Sequence, residues 1–342
     1  MNSKLLIAIL LVLLIISVLV ASVIGAVRID FADLWGMFTQ SNPSTEVSRL
    51  SAVWLNIRLP RILMAVFVGA GLALSGAAMQ GLFRNPLADP SIIGISGGAI
   101  TMAALTIVLL IPLVASFPDF AGYGLLSIMT FLGAVGSAWL IFSISRSEKK
   151  TNVATMLLAG IALNAIAGSF TGLLTYLADD AQLRDLTFWT MGSLAGANYT
   201  HVAIVSATLV LASFLVIPEY KAFNALALGE QDAQLIGTDT ERLKTKVVVA
   251  TALMVGVGVA FTGMIAFVGL VVPHIMRLLI GNDHRFLLPA SLIVGALLLN
   301  ITDTVARTVV QPAELPIGVI TSLVGAPIFL SLLLHRKKQF AL

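Results

Sequence analysis

Residues 247–276 read VVVATALMVGVGVAFTGMIAFVGLVVPHIM, 30 residues without a charge. A helix needs about 20 apolar residues to cross roughly 30 Å of hydrocarbon, so the run is too long for one ordinary span. Gly263, Gly269 and Pro273 can each interrupt a helix within it. It is either one long tilted helix or a full span followed by a short, broken one. The choice fixes the number of spans, and with it the side of the membrane on which every later loop lies.

The frame around this stretch is apolar throughout. Of 342 residues 58% are apolar and 11% charged, against roughly 25% charged in an ordinary soluble domain. Cutting at every charged residue leaves nine uncharged gaps of 17 residues or more: 5–27, 62–83, 90–118, 120–145, 151–178, 186–218, 247–276, 286–302 and 315–335. Helices satisfy all their backbone groups internally, which a spanning segment requires, and no short alternating segments indicate a barrel. The fold class is therefore an all-α polytopic membrane protein, one membrane domain over 1–342. The first gap, 23 residues long, exceeds the 7–15 of a signal-peptide core and is read as a retained helix.

The positive-inside rule decides the count. With nine spans the 20 Lys and Arg divide ten inside and ten outside; with ten spans they divide fourteen and six. Ten transmembrane helices with both termini cytoplasmic is the better division. Lys149, Lys221, Arg242, Lys244 and Lys246 then lie inside, while Arg28, Arg49, Arg58, Arg61, Arg184 and Arg307 remain outside. The polar stretch LALGEQDAQLIGTDTERLKTK (226–246) falls on the cytoplasmic face. FWTMGSLAGANYT (188–200) reads as a short interfacial or re-entrant piece, and 28–61 as an outer loop.

Several chemistries fit poorly. An ion-coupled carrier keeps ionisable groups at membrane depth, and the gaps lack them. A phosphate-cradling loop needs G-x-x-x-x-G-K-[ST], which does not occur. Without cysteine, and with His201, His274, His284 and His335 scattered, no catalytic or metal-binding constellation forms. Asp179–Asp180 reads as a solvated acidic pair, and the modest +3 charge gives no case for nucleic acid. The chain is thus not read as an enzyme. GISGGA (94–99) reads as close helix packing through small residues.

Three stretches then carry a resemblance: RLPRILMAVFVGAGLALSGAAMQGLFRNPLADPSIIGISGGA (58–99), FVGLVVPHIMRLLIGNDHRFLLPA (267–290) and ELPIGVITSLVGAPIFLSLL (314–333). The chain resembles the FecCD/BtuC-type permease subunits of ATP-binding-cassette importers for iron–siderophore complexes, haem and vitamin B12. The resemblance implies ten helices per subunit and a homodimer with the translocation path at its interface. It also implies two separate ATPase subunits that use ATP and Mg, a periplasmic binding protein, and a place in the bacterial inner membrane. No permanently bound cofactor or metal is implied.

Residue by residue, the resemblance makes 222–242 a loop of coupling helices seated in the ATPase, through Leu228, Gly229, Glu230, Ala233, Leu235 and Gly237 of LGEQDAQLIG. Arg58, Arg61 and Arg307 become partners for acidic residues of the binding protein; the plainer alternative is helix-end snorkelling. LRDLTFWTMGSL (183–194) is similar to the haem branch, where Arg184 would pair with a propionate beside Phe188 and Trp189. Haem is the preferred cargo, with ferric siderophore next and vitamin B12 behind both. Gly76 and Gln80 are assigned to the substrate path, although small-residue packing explains such positions equally well.

Overall fold

The computed structural model describes residues 3–25, 27, 29–39, 45–114, 123–148, 150–311 and 313–340. Arg28 and Lys149, counted in the charge division, lie outside them. In chain order the helices are α1 (Ser3–Val23), α2 (Phe31–Thr39), α3 (Thr45–Val53), α4 (Leu59–Leu82), α5 (Ile95–Leu105), α6 (Ile111–Leu113), α7 (Tyr123–Ile144) and α8 (Val153–Leu177). They continue as α9 (Asp180–Met191), α10 (Tyr199–Val216), α11 (Tyr220–Leu226), α12 (Glu230–Leu235), α13 (Thr240–Thr262), α14 (Val268–Ile280), α15 (His284–Ala306) and α16 (Ile317–Phe340). A two-stranded hairpin, β1 (Arg146–Ser147) and β2 (Lys150–Thr151), joins α7 to α8.

Eight helical runs among the described residues are long and apolar enough to cross a membrane, and two shorter apolar helices, Val268–Ile280 and Ile317–Ser331, accompany them. The 247–276 run resolves into a full helix and a short one. α13 ends at Gly263, whose φ of +67° few side chains adopt. α14 starts after Phe267, which also has a positive φ. Neither Gly269 nor Pro273 breaks the chain; both lie inside α14.

α4 is the centre of the bundle. It packs against α10, α13, α14 and α15, and 83% of its most apolar stretch is buried. Its sequence allows this because Gly69, Ala70, Gly71, Ala73, Ser75, Gly76, Ala77 and Ala78 leave little side chain between backbones. A Cβ at Gly69 would stand 2.3 Å from the carbonyl oxygen of Gly295 on α15. In lipid, association cannot draw on burial from water and relies on such close packing.

Two sequence boundaries move. The region expected as an outer loop, 28–61, is largely helical, and 45–82 forms one continuous helical run. Charges at Arg49, Arg58 and Arg61 end the uncharged gap but not the helix. A π-turn over Trp54–Arg58 adjusts the ladder just before Pro60, which lacks an N–H. The piece near 188–200 begins earlier, as α9, because Asp179 caps it in a capping box with Gln182. Asp179 is thus a helix cap. GISGGA packs as expected: a Cβ at Gly98 would lie 2.1 Å from the carbonyl oxygen of Gly133.

Candidate functional site

Contacts between loops sort into two ends of the bundle. At one end Arg58 meets Ser22, Val23 and Val27, Arg61 meets Asp303 and Glu314, and Ile317 N–H donates to the Gly192 carbonyl at 3.1 Å. At the other end Thr151 meets Glu241, Lys246 meets Glu219, and Asn224 meets Asp283 and His284.

The polar stretch lies at this second end. Gly229, at φ +141°, turns the chain from α11 into α12, and Gly237, at φ +87°, ends α12. α11 is anchored inward: Phe223 and Leu226 are buried, and Phe223 stacks on His284 at 5.0 Å. Asn224 Nδ2 donates to Asp283 Oδ1 at 2.7 Å, and this bond, with the Arg285 N–H, holds the Asp283 carboxyl below the usual carboxylate range. In α12 Ala233 faces the body, while Gln234 Nε2 donates to Thr240 Oγ1 at 3.0 Å. Leu228, Leu235 and Ile236 point outward, 71%, 85% and 66% exposed. Three large apolar side chains stand out on a segment otherwise rich in acids and amides. Glu230 is half-buried and paired with Lys244.

At the first end the three outer arginines differ from expectation. They are not rim cations free to meet a partner's carboxylates; all three are buried and engaged within the chain. Arg58 donates from Nη1 to the carbonyls of Ser22 and Val23 at 2.7 and 3.0 Å, and from Nη2 to that of Val27 at 2.5 Å. Arg307 Nη2 donates to the Ala21 carbonyl at 2.6 Å. The last carbonyls of a helix have no partner within it, and here two guanidinium groups cap the end of α1. Arg61 donates from Nε to both oxygens of Asp303, at 2.9 and 3.1 Å, and from Nη1 to both oxygens of Glu314, each at 2.8 Å. Asp303, fully buried, also lies 3.6 Å from Arg307 Nε.

The residues assigned to the substrate path divide. Gly76 and Gln80 lie inside the single chain rather than on an open face. A Cβ at Gly76 would fall 1.7 Å from the Gly269 carbonyl oxygen, so the position is where α4 and α14 touch. Gln80 Nε2 donates to the Leu270 carbonyl at 3.1 Å, and its Oε1 accepts from Arg277 Nη2 at 3.3 Å. Arg184 is exposed on α9, makes no ion pair among the described residues, and shares its helix with exposed Phe188. Trp189 turns inward against the core.

Sequence reading missed Asp303 and Glu314 as partners of Arg61, and Lys244 as the hub of the second end. Asp303–Arg307 and Glu241–Lys244 are spaced as helical neighbours, a signal the sequence did carry.

Residues 10–335 match the family model described as the FecCD transport family. The chain is 43% identical over 339 residues to the hemin transport system permease protein HmuU of Yersinia pestis, covering 98% of this chain and 97% of that one. It is 38% identical over 283 residues to the vitamin B12 import system permease protein BtuC of Vibrio vulnificus, covering 82% of each. Among solved structures it is similar to a chain from an inward-facing conformation of a metal-chelate type ABC transporter, with a TM-score of 0.84 and 32% identity over 97% of this chain and 99% of that chain.

Proposed function

The chain belongs to the FecCD transport family, and from that premise we propose that two copies form the path of an ATP-driven haem importer in the bacterial inner membrane. Each copy crosses the membrane ten times, α14 and α16 completing the eight longer runs, with both termini cytoplasmic. Separate ATPase subunits hydrolyse ATP with Mg, a binding protein delivers cargo to the outer end, and the path opens alternately to each side. No covalent chemistry on the cargo is involved.

The observation that carries the importer reading is the outward-facing trio Leu228, Leu235 and Ile236 on a glycine-bounded pair of short helices. Apolar side chains isolated on a polar segment form a contact for another protein's groove. Leu228, Gly229, Glu230, Ala233, Leu235 and Gly237 thus form the ATPase seat, the first three at the α11–α12 turn and Ala233 as its inward anchor. The binding protein docks at the outer end. Arg58, Arg61 and Arg307 shape that end from within, by fixing α1, α4 and α15, rather than meeting the partner's acids directly.

Haem is favoured over ferric siderophore by the likeness to the hemin permease along nearly the whole chain, and by Arg184, exposed and without an ion pair among the described residues, on the same helix as exposed Phe188. The importer reading is tested by co-purifying the chain with its cognate ATPase subunit from detergent. Wild type should retain the ATPase. Leu235→Asp, which places a charge in the contact without touching the chain's own core, should lose it while remaining monodisperse. Retention by Leu235→Asp would overturn the assignment of the seat.

A further inference from the structure

One inner-end side chain has no part in the reading above. Lys244, near the start of α13, has a side chain only 2% exposed. An ammonium group has three donors, and this one spends them on three elements. Nζ donates to Glu230 Oε1 on α12, to Glu241 Oε1 on α13 at 2.8 Å, and to the Thr151 carbonyl of β2 at 2.7 Å. Glu241 turns its other oxygen to the same residue, Oε2 accepting from Thr151 N–H at 2.9 Å. Both backbone groups of Thr151 are therefore held by side chains of α13.

Thr151 stands two residues before α8. The next residue, Asn152, caps α8 by accepting from Ala154 N–H and Thr155 N–H at 2.9 and 3.1 Å. α8 is also the long apolar helix its own chain covers least, with 17% of its most apolar stretch buried against 72% for α13. α8 is bonded along its length as well, where Asn164 Nδ2 donates to the Ser91 carbonyl and the Ala167 carbonyl accepts from Thr101 Oγ1. At its inner end the flexible stem of Lys244 is an arm from the well-buried α13. Its grip is firm, because separating a buried charge from its partners leaves an uncompensated ion.

We infer that Lys244 is a positioning residue that joins the ATPase seat to α8, so that displacement of α12 through Glu230 is delivered to the Thr151 peptide and shifts the inner end of α8. This rests on the reading of 222–242 as the ATPase seat. The same four groups could hold the fold without transmitting movement, and the two roles separate by experiment.

The full importer, with its ATPase and binding protein, is reconstituted in proteoliposomes, and haem uptake per ATP hydrolysed is measured for wild type, Lys244→Met and Lys244→Arg. The expected result is a ratio lowered about tenfold in Lys244→Met, the scale of a typical coupling between sites, and largely kept in Lys244→Arg. A second readout uses the chain's lack of cysteine: a spin label at Leu158→Cys, an exposed position on α8, reports the separation between copies. Its nucleotide-dependent change should vanish in Lys244→Met. A purely structural role would lower yield or thermal stability but leave ratio and distance change at wild-type values, and that result overturns the joint. Should Lys244→Met fail to assemble, Glu230→Gln, measured in complexes that retain the ATPase, carries the same test, since it keeps side-chain volume but removes the charge by which α12 grips Lys244. A lowered ratio supports the joint and an unchanged ratio overturns it. Failure of the seat itself is read separately: Leu235→Asp that still retains the ATPase removes the seat. Loss of the ATPase in Leu235→Asp with normal coupling in Lys244→Met removes only the joint.

Discussion

Replacing Gly76 with alanine adds one methyl group, and the structure specifies what that group would meet. Its carbon would lie 1.7 Å from the oxygen, 2.5 Å from the carbonyl carbon and 2.7 Å from the Cα of Gly269. All three are backbone atoms of a helix, so none can rotate away, and ordinary contact begins only at 3.4 Å. α4 and α14 must separate locally, and α4 is held on its other sides by α10, α13 and α15. Overpacking of this kind costs typically 1–3 kcal/mol, and a rigid backbone clash belongs at about the upper end. Gly71→Ala, one of its neighbours on α4, is the control: its nearest contact would be 3.7 Å, to Met254 Cβ. That change should be neutral, or stabilising by up to about 1 kcal/mol through helix propensity. Equilibrium unfolding of the purified chain in mixed micelles measures both. A loss of about 2–3 kcal/mol for Gly76→Ala beside a neutral Gly71→Ala is expected. Equal stability of the two variants, with a transport defect in Gly76→Ala alone, would refute the packing role and return Gly76 to the substrate path.

Asp303→Ala leaves Arg61 without its buried partner and removes the carboxylate beside Arg307. It should destabilise the fold by about 3–5 kcal/mol in the same unfolding assay. Lys246→Met, by contrast, breaks a pair whose side chains are each about a quarter exposed and should cost about 0–1 kcal/mol. Arg58→Met removes two hydrogen bonds to the end of α1 and a third to the Val27 carbonyl beyond it. Faster proteolysis between α1 and α4, with the remaining bundle intact, is its expected signature.

The helical frame was legible because its signals are local. The gap 151–178 became α8 with its cap at Asn152, and the 247–276 run divided at Gly263, where the backbone needs a conformation that glycine supplies. The second break, at Phe267, carried no such mark, since a positive φ at phenylalanine is imposed by surroundings rather than by the residue. Helix ends at the outer face were misjudged for a related reason. A charge ends an uncharged gap, but Arg58 and Arg61 extend the helix because each finds a buried partner there.

Sites were legible to the extent that their partners lay nearby. The α11–α12 turn is contained in ten consecutive residues, so its glycines and outward leucines could be read in order. Arg61 meets Asp303 across 242 positions, and Lys244 meets the Thr151 carbonyl across 93. Backbone carbonyls, which take up most of the Arg58 donors and one donor of Lys244, leave no trace in side-chain sequence. Gly76 shows the limit from the other side: a small residue admits either a ligand or a neighbouring backbone, and only the position of Gly269 decides between them.

The most direct test of the central claim is ATP-driven uptake by proteoliposomes holding this chain, its ATPase subunit and its binding protein, with haem and ferric siderophores offered separately. The account predicts haem uptake, lowered by Arg184→Ala without loss of assembly or of ATP hydrolysis. Uptake of a ferric siderophore with none of haem, from a complex shown to be assembled, would contradict it.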